Sequence, residues 1–173
     1  MNKILKTTAL MIILATIVFV GCKKDEETTT PETVTPTVTD NFKAKIDGVD
    51  YTTTTGKATL YSGVLMVQGN NANNTKSMII YMVYDSIAVN KTFPIGENNT
   101  GINAKGYYKD SNIEPSTEFE STNDGLTTDK ITITKFDAAG KTISGTFNFT
   151  AVDQDDPNVK KVITTGVFTD LKW

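Results

Sequence analysis

The chain is 173 residues long, room for one ordinary domain with a leader and a tether. It has no His, all 17 of its basic residues are Lys, and its formal charge is −3. Imidazole catalysis, His-ligated zinc and bidentate Arg forks are thereby excluded, and scattered Lys on an acidic chain argues against a nucleic-acid partner.

Met1 to Val20 read as a secretory leader, with Lys3 and Lys6 as the positive start and the apolar run Ala9 to Val20 behind them. That run is too short for a transmembrane helix, which needs ~20 apolar residues. The single Cys stands where the run ends. Phe19-Val20-Gly21-Cys22 resembles the lipobox of bacterial lipoproteins, in which the Cys is acylated and becomes the mature N-terminus; Phe replaces the usual Leu at the third position before it. The alternative for Cys22 is a buried free thiol. Lys23-Lys24-Asp25-Glu26-Glu27 follows, and Lys24, Asp25 and Glu26 resemble the export signal of Bacteroidota surface lipoproteins, a Lys and two acids close behind the acylated Cys. The alternative is a charged, solvated start to a tether. Thr28 to Thr39 is rich in Thr and Pro and cannot bury enough apolar surface to order itself, so it reads as an extended spacer. The organisation expected is a signal peptide over 1–21, an acylated Cys with a disordered tether over 22–40, and a β domain over 41–173.

From Asn41 the apolar residues recur with period two. Phe42, Ala44 and Ile46 alternate with Lys, Asp47-Gly48 supplies a two-residue turn, and Val49-Asp50-Tyr51 returns, which predicts a hairpin. Val64 to Val67 and Ser77 to Tyr84 predict strands on either side of the Asn-rich loop 69–74. Ile131 to Thr134 alternates, and Asp137 to Gly140 turns the chain. Ile143, Gly145, Phe147, Phe149 and Ala151 then share one face, with Thr142, Ser144, Thr146, Asn148 and Thr150 on the other. A last strand is predicted with Val162, Thr164, Gly166 and Phe168 on one face. No helical repeat appears after Val20. The fold expected is all-β, an antiparallel sandwich or barrel of about eight strands.

Two stretches carry a resemblance: Phe42 to Gly48, and Ile143 to Ala151 followed by Ile163 to Phe168. They are similar to a family of uncharacterised flavobacterial-type (Bacteroidota) lipoproteins, a domain of unknown function, over about residues 42 to 170. Tyr51 stands where many members carry Trp. The resemblance implies a location and brings no activity.

The candidate sites are few. Asp153, Asp155, Asp156 and Asn158 gather hard oxygen ligands of the kind Ca²⁺ takes, although the run lacks the central Gly and closing Glu of an EF-hand, and a plain turn explains it as well. Glu118 and Glu120 would share one strand face ~6.6–6.8 Å apart, a separation at which paired carboxylates can hydrolyse glycosides; two exposed Glu on an edge strand are the ordinary alternative. Tyr107 and Tyr108, with Tyr51, Tyr61, Tyr81 and Tyr84, could give an aromatic platform for a glycan or peptide; adjacent tyrosines on a strand point to opposite faces, so at most one of that pair faces a ligand, and core and boundary packing is the ordinary use of all six. Asp85-Ser86-Ile87 resembles a short O-glycosylation sequon of Bacteroidota, or is a strand end. The function expected is a lipid-anchored outer-membrane or surface lipoprotein that binds or scaffolds an extracellular glycan or protein by shape, with no catalytic residues and no cofactor; Ca²⁺ at Asp153, Asp155 and Asp156 is the lesser alternative to a plain loop. The alternative is a carboxylate-based hydrolase of extracellular glycans.

Overall fold

The computed structural model describes residues 39–96, 104–113, 118–122 and 128–173. Cys22, Lys24, Asp25 and Glu26, with the leader and most of the tether, lie outside them. The strands are β1 (Phe42–Ile46), β2 (Val49–Thr53), β3 (Lys57–Tyr61), β4 (Val64–Asn70), β5 (Lys76–Val83), β6 (Thr92–Pro94), β7 (Lys105–Asp110), β8 (Glu118–Ser121), β9 (Lys130–Asp137), β10 (Thr142–Asp153) and β11 (Lys160–Lys172). The only helical element among the described residues is a 3₁₀ turn, Tyr84–Ser86, so the expected all-β class holds, with eleven strands instead of about eight.

All eleven belong to one sheet whose main path runs β2-β1-β11-β10-β8-β7-β5-β4-β3, every strand pairing being antiparallel. β10 is long enough to take β9 along its first half and β8 along its second. The sheet curls into a half-barrel, bringing β11 against β3 and β1 against β4. Two hairpins close on turns with positive φ at both central residues, Asp47-Gly48 (51° and 82°) and Ser62-Gly63 (47° and 78°), the geometry that matches the twist of paired strands. Gly48 supplies such a conformation without steric cost.

The period-two pattern places the core. Phe42, Ala44 and Ile46 of β1 are buried, as are Leu65 and Val67 of β4, Met78, Ile80 and Met82 of β5, and Ile143, Phe147, Phe149 and Ala151 of β10. Phe147 sits at the centre, its ring 5.4 Å from that of Phe42, 6.2 Å from Phe149 and 6.3 Å from Phe168. It lies so close over Gly166 of β11 that a Cβ there would fall 2.6 Å from Cζ. Only glycine lets the two strands' contents stack this tightly.

The last strand departs from simple alternation. Ile163 is buried and Val162 is 47 % exposed, the reverse of the expected register at that end, while Gly166, Phe168 and Leu171 face inward. Two bulges explain this. Opposite Asn148, Thr164 and Thr165 occupy the space of one residue, and opposite Ser144, Thr169 and Asp170 do the same. Thr165 (φ 50°) and Asp170 (φ 49°) adopt left-handed conformations to allow it. Each bulge inserts one residue and moves the inward set by one position.

Candidate functional site

The Asp47-Gly48 turn, the start of β5, the end of β7 and the start of β11 meet at one end of the curled sheet. They line an open cleft of about 470 Å³ with Tyr51, Lys76, Tyr108, Asp110, Asp47 and Lys161 among its walls. Tyr51 and Tyr108 stand on the inward faces of β2 and β7, with their hydroxyls at the cleft floor. Tyr51 donates to the Gly69 carbonyl at 2.7 Å, and Tyr108 donates to Asp110 Oδ2 at 2.9 Å. Burial pushes both phenols well above their ordinary value, and at Tyr108 the Asp110 carboxylate beside it acts in the same direction.

Asp110 is buried at the end of β7. Burial alone would raise its carboxyl, but the Asn112 amide, the Tyr108 hydroxyl, the Asn112 side chain and Lys76 all donate to it and hold it below the usual carboxylate value. Lys76 Nζ lies 3.3 Å from Oδ2. Across the cleft Asp47 accepts from the Val162 amide and from Lys161 Nζ, each at 2.9 Å, and these bonds outweigh its burial and lower it too. Asp50 accepts from Lys45 at 2.6 Å. Each of these three carboxylates is thus matched by one lysine, and the ammonium groups keep further N–H donors for a visitor. The lining carries three carboxylates against two lysines, with Lys45 answering Asp50 from outside it, so the cleft can hold a polar ligand by hydrogen bonds.

The family described as Domain of unknown function (DUF6252) matches residues 38–172, the whole β domain. The chain belongs to that family. No curated protein and no solved structure matches it. The likeness expected from the Phe42 and Ile143 stretches is thus met by a domain of unknown function.

Apart from Tyr51 and Tyr108, the DUF6252 sheet places the other candidates outside the lining of this cleft. Glu118 and Glu120 do share the outer face of β8, with Phe119 buried between them. Lys109 donates to Glu118 at 2.7 Å, and Lys105 pairs with Glu120, which also accepts from Gln154 at 3.0 Å. Tyr107 faces outward and Tyr108 inward, as the alternation requires. Asp153 is buried, and its Oδ1 accepts the amides of Asp155 at 2.7 Å and Asp156 at 3.0 Å. Asp156 in turn accepts from the Asn158 amide and side chain. Those oxygens build the turn between β10 and β11, and among the described residues no group of three or more His, Cys, Asp or Glu is placed to hold a metal ion. Ser86 donates to the Val83 carbonyl at 2.7 Å within the 3₁₀ turn.

Sequence reasoning missed the cleft itself. Asp47 is visible as a turn residue, but nothing local marks Lys161, its partner 114 positions away. Asp110 is one acid among many until the curl of the sheet buries it.

Proposed function

We propose that this DUF6252 protein is a lipid-anchored binding module on the outer membrane or cell surface of a bacterium of the Bacteroidota type. Cys22 carries the acyl chains, residues 23–40 form the tether, and the mouth cleft takes an extracellular ligand, a glycan or a protein segment, without chemistry. Two or three acyl chains at ~0.8 kcal/mol per buried CH₂ hold such a chain stably. The observation that supports recognition over hydrolysis is the pairing of the cleft acids. A glycosidase acid must stay protonated near neutral pH, which requires a raised pKa, whereas Asp47 and Asp110 are both lowered.

One experiment addresses anchoring and another chemistry. In cells fed a labelled fatty acid, Cys22→Ala is expected to lose the label and accumulate as precursor, and replacing Lys24, Asp25 and Glu26 with Ala is expected to protect the protein from protease added to whole cells. Undiminished labelling of Cys22→Ala overturns the anchor. Incubation of the purified protein with a panel of bacterial and plant glycans is expected to release no reducing ends, and release lost in Glu118→Gln or Asp110→Asn favours the hydrolase reading instead.

A further inference from the structure

A second surface, on the outer face of the sheet away from the mouth cleft, carries aromatic rings that the core does not use. Tyr81 on β5 and Tyr107 on β7 stand half-buried on the side opposite Ile80 and Tyr108. Their ring centroids are 5.5 Å apart and their planes cross at 85°, so together they form a corner with a ring face on one side and a ring edge on the other. Ile79, directly opposite Tyr107 in register, extends the apolar floor. The hollow over these residues measures about 350 Å³ and is bounded by Lys109 and Glu118, near the low end of the ~300–1,000 Å³ of small-ligand sites.

The rim decides the ligand chemistry. Lys109 is paired with Glu118 at the edge of the hollow, and beside it on β7 and β8 Lys105, paired with Glu120, holds its ammonium 5.4 Å from the Tyr107 ring centroid, so there are two cations against two anions around the corner. An ammonium has three donors and a carboxylate about four acceptor positions, so the Lys109–Glu118 pair keeps hydrogen-bonding capacity after each satisfies the other. The local charge nevertheless cancels. An anionic polymer would meet the two glutamates and a cationic one the two lysines, whereas a neutral ligand bearing hydroxyls as both donors and acceptors matches the rim throughout. A pyranose unit has an apolar face of C–H groups that packs on an aromatic ring and a girdle of hydroxyls for the rim, and tyrosine offers that contact at small entropic cost.

We propose that the corner formed by Tyr81 and Tyr107, rimmed by the Lys109–Glu118 pair, binds a neutral pyranose unit of a glycan chain non-covalently. It is a second site and stands without the lipid anchor or the mouth cleft. Saturation-transfer difference NMR on the full chain in phospholipid nanodiscs, with cellohexaose, xylohexaose and mannohexaose as neutral probes and hexagalacturonate as the anionic one, tests it. At least one neutral probe is expected to give a saturable signal stronger than the anionic probe. Loss of one stacking ring in Tyr107→Ala should weaken that binding by about tenfold or more, and Tyr107→Phe, which keeps the ring, should hold it within about threefold. Lys57→Ala, on β3 and outside both surfaces, should leave it unchanged, and circular dichroism of the variants should match the parent. The proposal is overturned if no neutral probe gives a saturable signal, if the anionic probe binds more tightly, or if Tyr107→Ala binds undiminished. Loss of binding in Lys76→Ala with Tyr107→Ala intact would also overturn it, and would move the saccharide to the mouth cleft.

Discussion

Asp110 occupies a nearly dry position, and its charge persists there only because four donors converge on it: the Asn112 amide at 3.0 Å, the Asn112 side chain and the Tyr108 hydroxyl at 2.9 Å, and Lys76 at 3.3 Å. Asp110→Asn weakens charge-assisted bonds and leaves Lys76 without its counter-ion, a loss of ~1.5–3 kcal/mol at neutral pH. The pH dependence has a definite sign. A carboxyl lowered in the folded state contributes stability that is fully present above its unfolded value, near 3.8, and fades as pH falls through the folded one. The gap in melting temperature between parent and Asp110→Asn should stay constant from pH 7 to about pH 5 and shrink below pH ~4. A gap independent of pH throughout would show that shape, not charge, is what Asp110 supplies. Tyr51 and Tyr108 act in the opposite direction. Their raised phenols contribute stability below pH ~10 that is lost as the solution becomes more alkaline.

Among the elements, β10 and β11 show what sequence makes legible and what it hides. β10 alternates without interruption from Ile143 to Ala151, and the structure buries just that set, because a strand with one wet face leaves an unbroken period of two in its residues. β11 carries as many apolar residues, but its bulges at Thr165 and Asp170 break the period, and a left-handed Thr has no sequence signal. The short strands β3 and β6 were illegible for another reason. β3 has only Ala58 fully buried, so it lacks an apolar stripe, although the Ser62-Gly63 turn that follows is a recognisable hairpin signal. The registers give two contrasts measurable by denaturant melts. Phe147→Ala should cost ~3–5 kcal/mol and Thr146→Ala no more than ~1. On β11, Ile163→Ala should cost ~2–5 kcal/mol, while Val162→Ala, on the wet side, should stay within ~1. Equal losses at Ile163 and Val162 would remove the first bulge.

At the scale of the whole domain, the buried residues of the eleven strands form one contiguous hydrophobic cluster, and Trp173 packs against its margin by stacking on Phe136 at 5.7 Å. A single cluster unfolds as a unit. The fluorescence of Trp173, the sole tryptophan, and far-ultraviolet circular dichroism should therefore report the same urea midpoint. Separate midpoints would divide the sheet into independently stable parts. The sites were less legible than the fold because they are products of the curl. The mouth cleft draws on β1, β2, β5, β7 and β11, and the tyrosine corner joins β5 to β7, so neither leaves a spacing motif. The Glu118 and Glu120 pair was visible, but the lysines that engage it were not.

The pairing of β1 with β11 has a consequence in time. Asp47 in the first hairpin is fastened to Lys161 and Val162 in the last strand, 114 and 115 positions away, and Phe42, paired with Thr53 on one side, meets Phe168 on the other. Synthesis delivers β1 first, so one of its edges stays unpaired until β11 has emerged. Closure over such a distance is slow. The curled sheet is therefore complete only once β11 is available to pair with β1.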